Sequence, residues 1–211
     1  MRLDPNLYID GYRNHLMAFL PQSQLDEFFR RYVYEPLRKE RAAQQDIHNR
    51  LIAESEDCHD GAYELRKMAF SELARIAILD EFEFIADELA IMSAYKAIET
   101  WRGTRLASIA TEAEIGRLSD WNFLKTRFAF LRSLCGASEV DELRLINNCI
   151  KHSGRVSKTL ATNYPGWSSG EPLTNLKAAY RRIAPYLGAY WVDLIQTVAE
   201  QAEKNGSETG S

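Results

Sequence analysis

The sequence predicts an all-α fold, an antiparallel helical bundle with an N-terminal helical extension. Three observations carry this. Apolar residues recur at steps of three and four over long stretches. No stretch shows the apolar/polar alternation of a half-buried strand. Gly and Pro mostly fall between the periodic stretches. The chain has 211 residues, 45% hydrophobic and 27% charged, enough for one core with an extension.

Taken in order, residues 6–19 read as a short helix ending before Pro21, and 22–57 as a longer charged one. Pro36 should kink or restart the latter, because proline lacks the N–H and clashes with the preceding turn. Gly61 marks a break. From Ala62 to Arg102 there is no Gly or Pro, and Leu65, Met68, Leu73, Ile76, Leu79, Phe82, Ile85, Leu89, Met92, Ile98 and Trp101 recur at helical steps. That predicts one helix on the order of 60 Å long. Leu118, Trp121, Leu124, Phe128, Leu131 and Cys135 predict a bundle helix over about 118–135, stopped by Gly136. Ser138-Glu139-Val140-Asp141 resembles a capping box opening a helix from 139 to 152. Residues 153–171 read as a loop with room for one helical turn. Pro172 suits the first turn of a last helix, whose stripe is Leu173, Leu176, Tyr180, Ile183, Leu187, Trp191, Leu194 and Val198, with a bend at Pro185. Residues 1–60 are thus an extension, 61–204 the bundle, and 205–211 a polar, disordered tail.

Composition excludes some functions. The net charge of −4 rules out a globally basic nucleic-acid binder but not a local basic patch. Cys58, Cys135 and Cys149 are widely spaced, with no CxxC pair, so neither a disulfide framework nor a structural zinc site is expected. No apolar run approaches a membrane span and no signal peptide is visible, so a cytoplasmic protein is expected. Glu56-Asp57-Cys58-His59 supplies one ExxH, but a di-iron bundle needs a second, which is missing. No metal or cofactor is expected. Ser153 beside His152 lacks an acid partner for a hydrolase triad. Trp101, Trp121 and Trp191 lie on helical stripes and read as core.

The informative stretch is Asn147-Asn148-Cys149-Ile150-Lys151-His152. At about 100° per residue, Leu143, Ile146 and Ile150 form the core face of helix 139–152. Asn148 and His152 lie one turn apart, off that face, with Leu145 and Cys149 beside them. A polar pair flanked by apolar residues suits a cleft or an interface; a bland alternative is that His152 caps its own helix end. Between Glu142 and Glu171 there is no acidic residue, whereas Arg144, Lys151, Arg155 and Lys158 fall in that window with His152, Tyr164 and Trp167. Cations beside a polar cleft suit phosphate, and the aromatics suit stacked bases.

The run Glu142-Leu143-Arg144-Leu145-Ile146-Asn147-Asn148-Cys149-Ile150-Lys151-His152-Ser153-Gly154 resembles the signature of HEPN-domain proteins. That signature is an arginine and a histidine four to six residues apart, usually with a polar residue after the arginine. The resemblance extends to the helix order over about 62–202. It implies a helical bundle and a metal-independent ribonuclease of toxin–antitoxin, phage-defence or RNA-processing systems. It also implies a homodimer with facing signatures, and an antitoxin or defence partner. His152 and the polar Asn148 carry over. The arginine does not: seven residues separate Arg144 from His152, and Asn147 stands where arginine is usual. The resemblance therefore implies RNA or a nucleotide as partner, with His152, Asn148 and Arg144 as catalytic candidates. Asn147, Lys151, Arg155 and Lys158 are the phosphate-binding candidates. His152 would move a proton at the ribose 2′-OH or the leaving oxygen. The competing expectation is a non-catalytic interaction or dimerisation protein built on helix 62–102 and the extension.

Overall fold

Pro36 sets the first boundary in the computed structural model, which describes residues 21–58 and 60–208. Without an N–H, Pro36 cannot continue the hydrogen-bond ladder before it. Helix α1 (Pro21–Phe28) therefore passes into a π turn, Phe29–Tyr34, whose closing bond runs from the Glu35 N–H to the Arg30 carbonyl five residues back. Helix α2 (Glu35–Asp57) then starts with Pro36 in its first turn, where the lost donor is not needed. The helix expected over 6–19, and His59 of the ExxH, lie outside the described residues.

Helix α3 (Ala62–Leu106) is the long helix the sequence predicts. Gly103 does not end it; the Ala107 N–H still bonds the Gly103 carbonyl at 3.0 Å. The chain divides into two compact units within this helix, between Ala90 and Ile91.

The unit Asp26–Ala90 contains an antiparallel hairpin of α2 with the first part of α3. The Tyr34 hydroxyl donates to Asp87 Oδ1 at 2.7 Å, Arg41 pairs with Asp80 at 3.0 Å, and His48 Nδ1 lies 2.9 Å from the Ala69 carbonyl oxygen. Mostly small residues line the closed face: Ala69, Ala86 and Ala90 are buried, with Ile76. The rest of α3 here stays open, and Ile78, Phe82, Ile85 and Leu89 are about half exposed.

The unit from Ile91 onward holds one contiguous core. After α3 come a single turn α4 (Glu112–Ile115), α5 (Trp121–Arg127), a 3-10 turn (Ala129–Arg132), α6 (Ala137–His152), α7 (Lys158–Asn163) and α8 (Leu176–Glu208). Helix α6 is central and packs on α8, α7 and the 3-10 turn. Along α8, Leu176, Ile183, Leu187, Leu194 and Val198 of the predicted stripe are buried, Ala179 and Tyr190 are buried in the places expected of the partly buried Tyr180 and Trp191, and Pro185 lies inside the helix. Full burial of each large apolar side chain here is worth about 1.5–3 kcal/mol. The whole is an all-α helical bundle, and among the described residues the isolated β-bridge is Arg155 with Pro172.

Several boundaries differ from expectation. The single helix over 118–135 is two short pieces, because Phe128 leaves helical geometry (φ −117°, ψ 65°). Its apolar steps of three, Phe128, Leu131 and Leu134, suit a turn of three residues, and all three are buried while Cys135 is exposed. Helix α5 is capped by Asp120, whose carboxylate accepts from the Asn122 and Phe123 N–H groups. The capping box forms at Thr111 and Glu114, not at Ser138; α6 starts after Gly136, which is left-handed (φ 76°). Pro172 lies in the bridge and α8 opens four residues later. The helix then runs through Gly206 to Glu208, into the stretch expected as a tail.

Candidate functional site

Helix α6 and the loop after it decide where the predicted residues go. The core face of α6 is wider than Leu143, Ile146 and Ile150. Leu145 and Cys149 are also buried, because α6 has neighbours on several sides. The apolar residues beside the polar pair are thus core and not the walls of a surface cleft.

The candidates separate into an outward and an inward group. Lys151, His152, Arg155 and Lys158 are exposed, and Asn148 is half-buried. Helix α6 ends in Lys151 and His152, Gly154 turns the chain with a left-handed backbone (φ 63°), and α7 starts at Lys158. The loop is pinned by the Leu173 N–H to the Gly154 carbonyl (2.9 Å) and the Val156 N–H to the Glu171 carbonyl (2.9 Å). The Ser157 N–H donates to Cys149 Sγ at 3.3 Å, which holds the start of α7 against the last turn of α6. Four basic side chains therefore gather at one corner. Arg155 Nη1 donates to the Gly170 carbonyl at 2.8 Å. Among the described residues no carboxylate pairs with Lys151, His152, Arg155 or Lys158. His152 does not bond its own helix end.

Arg144 and Asn147 face inward, within about 60° of each other on α6. Arg144 pairs with Asp141 at 2.8 Å, its side chain is 14% exposed, and its guanidinium lies 4.9 Å from the Trp121 ring centroid. Asn147 is 1% exposed, and among the described residues neither its amide oxygen nor its nitrogen has a hydrogen-bond partner. Neither residue shares the surface of His152.

The structure adds an anchor that the sequence did not single out. The Glu142 side chain, 3% exposed, accepts from Trp167 Nε1 (2.7 Å) and from both terminal nitrogens of Arg182 (2.8 and 2.7 Å). A carboxylate so deep is stable only with such donors. It ties α6 to the loop and to α8. The carboxylate beside Arg182 raises the arginine's pKa further. Val156, Trp167, Glu171, Asn175 and Arg182 border a cleft of about 740 Å³. Its cation is already occupied by Glu142. Nearby, Tyr164 donates to the Ser138 carbonyl at 2.7 Å, and burial pushes its pKa up to about 12.

A second group missed by the sequence reading surrounds Arg102, which is 0% exposed. It follows Ile91, Tyr95 and Ile98 at steps of four, three and four, so a charge on an apolar stripe was the available signal. Among the described residues no group of three or more His, Cys, Asp and Glu is arranged to hold a metal, and no helix is long and apolar enough to cross a membrane. Compared with known proteins, the chain matches no family model, no curated protein and no solved structure.

Proposed function

We propose that this chain binds RNA through its phosphates at the corner where α6 ends and α7 begins. One observation carries the reading: the cations Lys151, Arg155 and Lys158, with His152 beside them, are exposed there without a carboxylate partner among the described residues, in a chain of net charge −4. Unpaired cations are free to neutralise a polyanion, whereas paired ones must first break a bond. The resemblance of residues 142–154 to the HEPN signature supports RNA as the polyanion, in a toxin–antitoxin or phage-defence setting.

Binding stands ahead of cleavage. Cleavage needs a cation to hold the scissile phosphate as its charge develops. Neutral Asn147 in the core does not supply one, and Arg144 is committed to Asp141 and Trp121. If an endoribonuclease, the chain would use His152 to move a proton at the 2′-OH, with Arg155 or Lys151 facing the phosphate and Asn148 orienting it, and no metal. The test compares wild type with His152→Ala and with Lys151→Ala/Lys158→Ala on a labelled single-stranded RNA, scoring binding and cut products. The expected result is binding lost in the lysine variant. Unchanged binding in that variant refutes the reading, and equal cleavage by wild type and His152→Ala removes His152 as catalyst.

A second reading has its own observation. Ile78, Phe82, Ile85 and Leu89 follow steps of four, three and four along α3, the seam spacing of a coiled coil, and all are about half exposed. They support a hairpin that pairs with a second copy of the chain. Sedimentation equilibrium of Phe82→Glu/Leu89→Glu should then give a monomer where wild type gives a dimer. A wild type that stays monomeric at about 50 μM, a concentration that saturates a micromolar dimer, rejects it.

A further inference from the structure

We propose that Arg102 is the centre of an internal receptor for one small oxyanion of the phosphate class, separate from the RNA-binding corner. Among the described residues none of its three guanidinium nitrogens has a hydrogen-bond partner, although the residue is fully buried. Buried charges in folded proteins are paired, since an unpaired one is strongly destabilising. No carboxylate plays that part here. The nearest acid along α3, Glu99, is held by Lys96 at 2.8 Å.

The groups around Arg102 are rich in donors. Its guanidinium lies 4.8 Å from the centroid of the Trp121 ring, against which Arg144 also lies. Among the described residues, the indole Nε1 of Trp121 and the hydroxyl of Tyr190 are buried without a partner in full hydrogen-bond geometry. Tyr95 and Tyr190 both face Arg102: burial raises the pKa of each phenol, and the cation opposes that rise. Each phenol lies close enough to the guanidinium for a weak hydrogen bond that also opposes the rise, and neither contact meets full hydrogen-bond geometry. Asn147, also unpartnered, sits one turn along α6 from Arg144. A guanidinium fork, two phenols and an indole N–H offer many donors, and the nearby carboxylates Asp141 and Glu99 are held by Arg144 and Lys96. The ligand that complements such a set is an acceptor with negative charge. Tetrahedral oxyanions match an arginine fork in two-point contact. Trp121 and Arg144, whose ring and guanidinium lie against each other, are both half-buried.

The probe is inorganic phosphate, titrated into the full chain by calorimetry at constant ionic strength, with chloride replacing it in the control. Wild type should bind one equivalent. Tyr190→Phe should weaken binding roughly tenfold or more, the usual effect of losing a bond to a charged group. Arg102→Met should abolish it. With phosphate absent, Arg102→Met should melt at or above the wild-type temperature, because an apolar side chain replaces an unpaired buried charge. Adenosine 5′-monophosphate in a parallel titration separates two sources of the anion. Tighter binding than phosphate points to a nucleotide, weaker binding to the free ion. The proposal fails if wild type shows no saturable binding to either at about 10 mM, where a millimolar site fills, or if Tyr190→Phe binds as wild type does. Neither Tyr190 nor Arg102 lies at the α6–α7 corner, so the variants leave the RNA test independent.

Discussion

Removing the Glu142 carboxylate should cost this fold a large share of its stability. Glu142→Ala deletes three charge-assisted hydrogen bonds, one from Trp167 and two from Arg182. Bonds to charged groups contribute about 1.5–3 kcal/mol each in favourable settings. The full sum does not apply. The Arg182 side chain is 55% exposed and finds water when its partner is gone, whereas the Trp167 N–H is partly buried and is left short. An expected loss of about 2–3 kcal/mol follows. Arg182→Ala leaves the acid buried with Trp167 alone, and should cost a similar amount for the opposite reason. The double variant should then cost less than the sum of the two singles, because the orphaned partner is gone. Urea unfolding of the four proteins measures this directly. Losses below about 0.5 kcal/mol in both singles, or strict additivity, would refute the view that this carboxylate clamps α6, the loop and α8 together.

Two further outcomes follow from the same packing. Gly136→Ala should destabilise by about 2–4 kcal/mol in a thermal melt, since the backbone is left-handed there and the new methyl would sit 2.6 Å from the Tyr186 carbonyl oxygen. Tyr164 holds its proton more tightly folded than unfolded, with a pKa of about 12 against an ordinary value of 10. The stability it contributes is therefore full below pH 10 and is lost as pH rises towards 12. Unfolding of Tyr164→Phe should show a shallower fall over that window and a loss of about 1 kcal/mol at pH 7, from the missing bond to Ser138. An identical pH profile in the variant would show that Tyr164 does not carry it.

Much of the bundle was legible because burial follows period. The α8 stripe from Leu176 to Val198 is the buried face, and the long run without Gly or Pro is the long helix. Period alone misled over 118–135: the apolar steps marked burial correctly, yet steps of three are shared by α-helices and 3-10 turns, and only Asp120 announced where the helix starts. Of the candidate site, the exposure of its end was legible. Lys151 and His152 followed from the end of α6 and the absence of acids after Glu142. What the sequence hid was direction. A projection of α6 on one apolar stripe cannot show that the helix has neighbours on several sides, and it was those neighbours that drew Arg144 and Asn147 inward. Arg102 was hidden for a related reason. Tyr95 shares its helix, but its other neighbours Trp121 and Tyr190 come from two different helices, and nothing local links those to it.

The central claim is that the exposed cations at the α6–α7 corner hold RNA phosphates, and the salt dependence of binding tests it most directly. For single strands the logarithm of the binding constant falls with the logarithm of salt by about 0.7 per phosphate neutralised. Anisotropy of a labelled single-stranded RNA should therefore give a wild-type slope near −2 to −3 if three or four of these side chains engage phosphates. Lys151→Ala/Arg155→Ala/Lys158→Ala should flatten it by about 2 and weaken binding at every salt concentration. A variant with the wild-type slope and affinity, or a wild type that shows no salt-dependent binding, would contradict the account.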